Sequence, residues 1–221
     1  MYTYAFFKSP IAPLNLLAGI AGEVQVVESG QLSALVEPDL ELEVLQKDDS
    51  HLVQAVLTHD RMICELFWQT TILPLRFGTC FISLEALIEH LDTHQESYLA
   101  KLARLEGKAE YWLKLTPREL PVATLSDMKG KQYFLAKKQQ YQTQQTQQAQ
   151  QQAQLEQVFA LISNVYPDYR VTEAKEDVEK LYLLVDRQQE TALYQHLQNW
   201  QNHCTHWEIT LGEALPPYHF V

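Results

Sequence analysis

Between Gly130 and Val165 the chain contains no internal glycine or proline, the two residues that most often end a helix. Its middle, 139–154, is almost entirely glutamine, with a few Thr, Ala and Tyr. Glutamine-rich tracts can be disordered. Here Tyr133 and Phe134 flank the tract on one side and Leu155, Val158, Phe159 and Ile162 on the other. These flanks predict one long helix whose glutamines are its solvated part, and the second half of the chain must be arranged around it.

Ahead of that helix, 109–116 alternates strictly. Ala109, Tyr111, Leu113 and Leu115 face one way and Glu110, Trp112, Lys114 and Thr116 the other, a half-buried strand. Beyond Pro167, 169–174 and 180–186 read as strands. Residues 188–202 read as a helix with Leu193, Leu197 and Trp200 inward, and 206–211 as a strand with Trp207, Ile209 and Leu211 inward. Strand, helix, strand, strand, helix, strand is the ferredoxin-like order.

The first half has a different order. Residues 1–8 place Tyr2, Tyr4 and Phe6 on one side and Ala5 and Phe7 on the other, a strand buried on both faces. The runs 24–28 and 32–37, joined through Ser29-Gly30, form a hairpin. Ser50 is a candidate N-cap for a helix reaching Gln69, with Val53, Val56, Leu57, Ile63 and Phe67 at helical spacing. Residues 72–82 return to extended character. Ser83 then caps a helix carrying Leu84, Ile88, Leu91, Tyr98, Leu102 and Leu105, a spacing interrupted only by Gln95, which Gly107 ends. The reading is an α+β chain with an N-terminal α+β domain (1–107), a ferredoxin-like βαββαβ domain (108–212) and a C-terminal tail (213–221).

A formal charge of −11 argues against nucleic acid and against anionic lipid membranes, both of which call for clustered Lys and Arg. Trp112 and Tyr182 on the second sheet keep an RNA-binding or ligand-sensing module as the alternative, although the RNP pattern is absent. Cys64, Cys80 and Cys204 are odd in number and widely spaced, which fits reduced thiols. With no secretory start and no long apolar run, a soluble intracellular protein is expected.

No constellation argues for catalysis, a metal or a cofactor. His203-Cys204-Thr205-His206 is the densest set of candidate ligands, but no second pair stands at ligand spacing, and a helix-to-strand turn with one inward thiol explains it. Gly19-Ile20-Ala21-Gly22 lacks the Lys-Ser/Thr of a phosphate loop and reads as a plain loop. More informative is 73–79, LPLRFGT, where Arg76 inside an apolar run must pair with a carboxylate or reach solvent. The ending, Leu215 to Val221, holds two prolines and much apolar surface, and so docks either on its own protein, bridging the two domains, or on another.

At these segments the sequence resembles the GvpF/GvpL gas vesicle proteins. The resemblance rests on the opening strand Tyr2-Thr3-Tyr4-Ala5 and on an intact LPLRFGT with Leu73, Pro74, Arg76, Phe77 and Gly78. It also rests on Gly130, Tyr133 and Lys137, with Phe134 in a leucine place, and on an ending in which Gly212, Pro216, Pro217, Tyr218 and Phe220 match. Glu213-Ala214 lengthens that ending, Leu215 stands for a tryptophan and His219 for a serine. The length and the glutamine-rich helix are most similar to the cyanobacterial GvpF form. The resemblance implies a non-catalytic minor component or assembly factor of the gas vesicle, with no cofactor. It implies the shell protein GvpA as partner, other gas vesicle accessory proteins as further candidates, and the gas-facing side of the shell as a candidate location. Leu73, Pro74, Arg76, Phe77, Gly78, Pro217, Tyr218 and Phe220 are the candidate interaction or signature residues.

Overall fold

The computed structural model describes residues 1–40, 49–118, 130–175 and 178–221. The chain divides into two compact units, Met1–Glu110 with Ala214–Val221, and Tyr111–Glu213.

The first unit is built on a sheet of β1 (Tyr2–Lys8), β2 (Gln25–Ser29), β3 (Leu32–Glu37) and β4 (Ile72–Pro74), in the order β2-β3-β1-β4. All three pairings are antiparallel. Tyr2 through Phe7 are each at most 2% exposed, so the central strand is covered on both faces, as six consecutive apolar or hydroxyl-bearing residues require. Its alternation is not regular. A register shift between Thr3 and Ala5 leaves Tyr4 without a partner on β3. Tyr2 and Tyr4 meet His59, whereas Phe6 meets Phe81, His90 and Tyr98.

Three helices cover this sheet: α1 (Asp49–Gln69), α2 (Leu84–Thr93) and α3 (Gln95–Leu105). Ser50 lies inside the first turn of α1 rather than capping it. Ser83 does cap α2, its hydroxyl accepting from Ala86 N at 3.2 Å. The long seam from Leu84 to Leu105 proves to be two helices, broken at His94 (φ −105°, ψ 9°). The break gathers the rings of His90, His94 and Tyr98, with His90 Nε2 2.7 Å from the Tyr98 hydroxyl. Within α2 the buried positions are Leu87 and Leu91, while Leu84 is 40% exposed.

The second unit holds β5 (Lys108–Pro117) from Tyr111 onward, α4 (Lys131–Val165), β6 (Tyr169–Lys175), β7 (Val178–Asp186), a 3₁₀ turn at Arg187–Gln189, α5 (Glu190–His203) and β8 (Trp207–Leu211). Its strand order, β6-β7-β5-β8, is the ferredoxin-like one. Tyr111, Leu113 and Leu115 are at most 1% exposed, as the alternation requires. They share the core with Leu155, Val158 and Ile162 of α4 and Leu193 and Trp200 of α5. Leu211, expected inward, is only half-buried at the end of its strand.

The glutamine tract is solvated over most of its length but not at its C-terminal end. The Gln151 carbonyl accepts from Trp207 Nε1 at 2.9 Å, and the Gln154 side chain accepts from His206 N at 3.0 Å. Gln201 of α5 completes the seam: its Oε1 accepts from Ile209 N at 2.8 Å, while its Nε2 donates to the carbonyls of Trp207 (2.8 Å) and Cys204 (3.1 Å). Removing those partners leaves several half-buried backbone groups unsatisfied. Gln201→Leu is expected to lower stability by about 2 kcal/mol, whereas exposed Gln144→Ala changes it by less than about 0.5 kcal/mol. Urea titration of both variants checks the contrast.

Candidate interaction surface

Helix α1 carries both of the segments that the sequence singles out. The first leaves β1 and returns to it. Leu75 N donates to Tyr4 O at 2.9 Å, Thr3 N donates to Thr79 O at 3.0 Å, and Tyr2 bridges to Cys80. The extended character expected over 72–82 is therefore confined to β4 and to Thr79-Cys80-Phe81, with a turn between them. Thr79 N and Oγ1 both donate to the Arg76 carbonyl, at 3.1 and 2.7 Å. Gly78 stands at φ 89°, the left-handed value that a type II turn demands at its third residue. A Cβ at Gly78 would meet nothing within 4 Å, so backbone conformation rather than space calls for glycine.

This geometry sorts the motif. Leu73 is 3% exposed and Pro74 is buried, both within β4. Phe77 is half-buried with its ring 5.6 Å from that of His59 and 6.0 Å from that of Tyr2. Arg76 is exposed and makes no ion pair with any of the described residues. Its exposure is the solvent option, and no carboxylate among the described residues pairs with it.

Beneath the turn runs a line of buried polar groups. Tyr2 Oη lies 2.6 Å from His59 Nδ1, and His59 Nε2 lies 3.1 Å from the Leu75 carbonyl. A carbonyl only accepts, so Nε2 carries the proton and Nδ1 accepts from the tyrosine, which is the neutral imidazole. Burial pushes the His59 pKa down, in agreement with that tautomer, and pushes the Tyr2 hydroxyl above the ordinary tyrosine range.

Beside it, Glu37 is 2% exposed. Its carboxylate accepts from Tyr4 Oη at 2.5 Å and from the backbone amides of Ile20, Ala21 and Gly22 at 2.8, 2.7 and 2.7 Å. The loop 19–22 thus cradles an anion after all, and the anion is internal. Gly19 is where the loop passes closest: a Cβ there would lie 2.3 Å from Glu37 Oε2. Successive amide donors were visible in the sequence, but Glu37 sits 15 residues or more away and no local pattern pairs them.

The second segment is the tail, which docks on its own protein and is part of the first unit. Leu215 exchanges backbone hydrogen bonds with Glu110 at 2.8 and 2.9 Å. The Glu110 carboxylate, fully buried, accepts from His219 N at 2.8 Å and lies 2.7 Å from His219 Nδ1. Burial raises the Glu110 pKa against the opposing pull of His219. Tyr218 Oη donates to Asp60 at 2.5 Å and lies 3.9 Å from Cys64 Sγ, one turn further along α1. Pro216, Pro217 and Phe220 are buried. No repeat spacing points to Glu110; a lone acid on the outward side of a strand gave no sign that the tail would bury it.

Cys204 is buried at the end of α5, and burial raises its thiol pKa, while His203 Nδ1 lies 2.8 Å from the Asn199 carbonyl. Among the described residues, no three His, Cys, Asp or Glu side chains converge as a metal site would require, and no helix is long and apolar enough to cross a membrane. Trp112 and Tyr182 are half-buried.

The family model described as gas vesicle synthesis protein GvpL/GvpF matches residues 1–221. The chain belongs to the GvpL/GvpF family. Two solved members share the fold of this GvpL/GvpF chain. Gas vesicle protein GvpF from Microcystis aeruginosa is 18% identical with a TM-score of 0.67, covering 99% of this chain and 97% of that one. GvpF from Anabaena sp. is 16% identical with a TM-score of 0.70, covering 99% and 94%. No curated protein sequence matches. Membership associates the chain with gas vesicles and with their other proteins.

The neutral His59 gives this GvpL/GvpF chain a pH-dependent stability. Its folded pKa lies below the ordinary value, so as pH falls through about 6.5 the unfolded chain takes up a proton that the folded one refuses. Stability contributed at pH 8 is therefore lost on acidification. His59→Phe is expected to cost about 2–4 kcal/mol near pH 8, because it strands the Tyr2 hydroxyl and the Leu75 carbonyl. The gap between parent and variant should narrow between pH 7 and pH 5, as denaturant titrations at each pH will show.

Proposed function

We propose that this chain is a non-catalytic minor component or assembly factor of the gas vesicle, and that it binds the shell protein GvpA through the outer face of α1. The observation that carries this reading is a stripe of apolar side chains left in water on that helix. Val53, Val56 and Leu57 are 59%, 42% and 58% exposed. Beside them lies a hollow lined by Leu17, Ala18, Gln54, Leu57, Thr58 and Arg61. The stripe continues the helix toward its N-terminus from Asp60 and Cys64, where Tyr218 is seated. Contiguous apolar surface of this kind favours a protein partner.

Support for a non-catalytic role comes from what the perturbed groups are doing. His59, Glu110 and Tyr218, and likewise Tyr2 and Tyr4, are each bonded to another protein group that their structural role already explains. Apolar shell subunits awaiting assembly aggregate unless their surface is covered, and an acidic chaperone-like partner with an apolar stripe suits that task. Two experiments test the reading. Purified GvpA is expected to be captured by the parent, and capture should fall at least tenfold with Leu57→Glu combined with Val53→Glu, since about 1.5 kcal/mol or more of burial is replaced by buried charge. Failure of the parent to capture GvpA, both proteins being folded, overturns it. For placement, we propose the gas-facing side of the shell. Antibody label should then reach the protein in collapsed but not in intact vesicles; label on intact vesicles or only in free cytoplasm refutes that location.

A further inference from the structure

Helix α4 is longer than its own unit needs. Leu155, Val158 and Ile162 pack into the core, yet not one residue from 132 to 150 is buried. A largely glutamine helix whose residues are at best half-buried over so long a stretch is marginal in water. Phe134 and Tyr141 nevertheless stand on it 72% and 62% exposed.

The arrangement of the exposed side chains is self-complementary. At 100° per residue, Phe134, Lys138, Tyr141, Ala153, Glu156 and Ala160 fall within one arc of about 120°, outside the arc of the buried positions, and each of the six is exposed. Set antiparallel to an identical helix about a two-fold axis level with residue 147, Lys138 meets Glu156 in the middle of the face and Phe134 comes beside Ala160, a large ring against a methyl group. Both pairs have the same midpoint, while Tyr141 and Ala153 flank the contact on either side. Between the charged ends, 139–154 carries no charge at all in a chain whose formal charge is −11, so this is where two copies approach with least repulsion. Antiparallel packing also opposes the helix dipoles.

We propose that two copies of this chain associate through antiparallel α4 helices, in an isologous contact whose two-fold axis lies level with residue 147, with Lys138 of each copy against Glu156 of the other. The contact uses the second unit alone and does not depend on GvpA binding. It is tested on the full chain by sedimentation equilibrium over a range of concentrations. The parent is expected to dimerise. Lys138→Glu and Glu156→Lys are each expected to weaken the dimer by roughly tenfold or more, because each turns two attractive pairs repulsive. The double variant, with both charges exchanged, is expected to regain parental association. All these positions are exposed, and circular dichroism confirms that the variants fold. A parent that stays monomeric at the highest concentration it tolerates overturns the proposal. So does a dimer indifferent to either reversal, or a double variant that fails to recover.

Discussion

A carboxylate shut away from water must be given its hydrogen bonds by the protein, and in the first unit that obligation falls on Glu37. Three successive amides and a tyrosine hydroxyl meet it. Leaving any of them unmatched in so dry a place would cost about 1–3 kcal/mol each. The bonds fix the loop 19–22 onto β3 and Tyr4 onto Glu37, which sets the bulge in β1. With β1 set, Tyr2 faces His59, and His59 in turn reaches Leu75. The position of the LPLRFGT turn is the far end of that chain of bonds.

The motif is therefore mostly architecture. Leu73 and Pro74 fill the edge of the sheet, Gly78 permits the turn, and Phe77 leans on the two rings below it. Arg76 is the one exposed side chain that the motif offers to solvent, beside the bare backbone of Gly78. The C-terminal signature divides in the same way, with Pro217 and Phe220 buried and Tyr218 tied to α1.

What could be read in advance was whatever periodicity encodes. The βαββαβ order of the second half followed from the alternation at 109–116, the unbroken helix and two later strands, and the observed strand order agrees with it. The hairpin and the Ser83 cap were legible for the same local reason. Long-range polar pairing was not. Glu37 with its loop, Glu110 with His219 and Asp60 with Tyr218 join residues from 15 to 158 positions apart, and one carboxylate looks like another until the fold buries it. The break at His94 escaped because the apolar spacing, interrupted only by Gln95, resumes in phase at Tyr98. Gln151, Gln154 and Gln201 were hidden by company, bonded glutamines among many solvated ones.

The unburied length of α4 has an evolutionary corollary. No core residue limits how many residues lie between 139 and 150, yet each one added or lost turns Phe134 and Lys138 by about 100° relative to Glu156. Drift in length along this stretch is free in energy but constrained in phase. Insertions near seven or eleven residues, which come close to whole turns, preserve the common face, while single-residue changes scatter it.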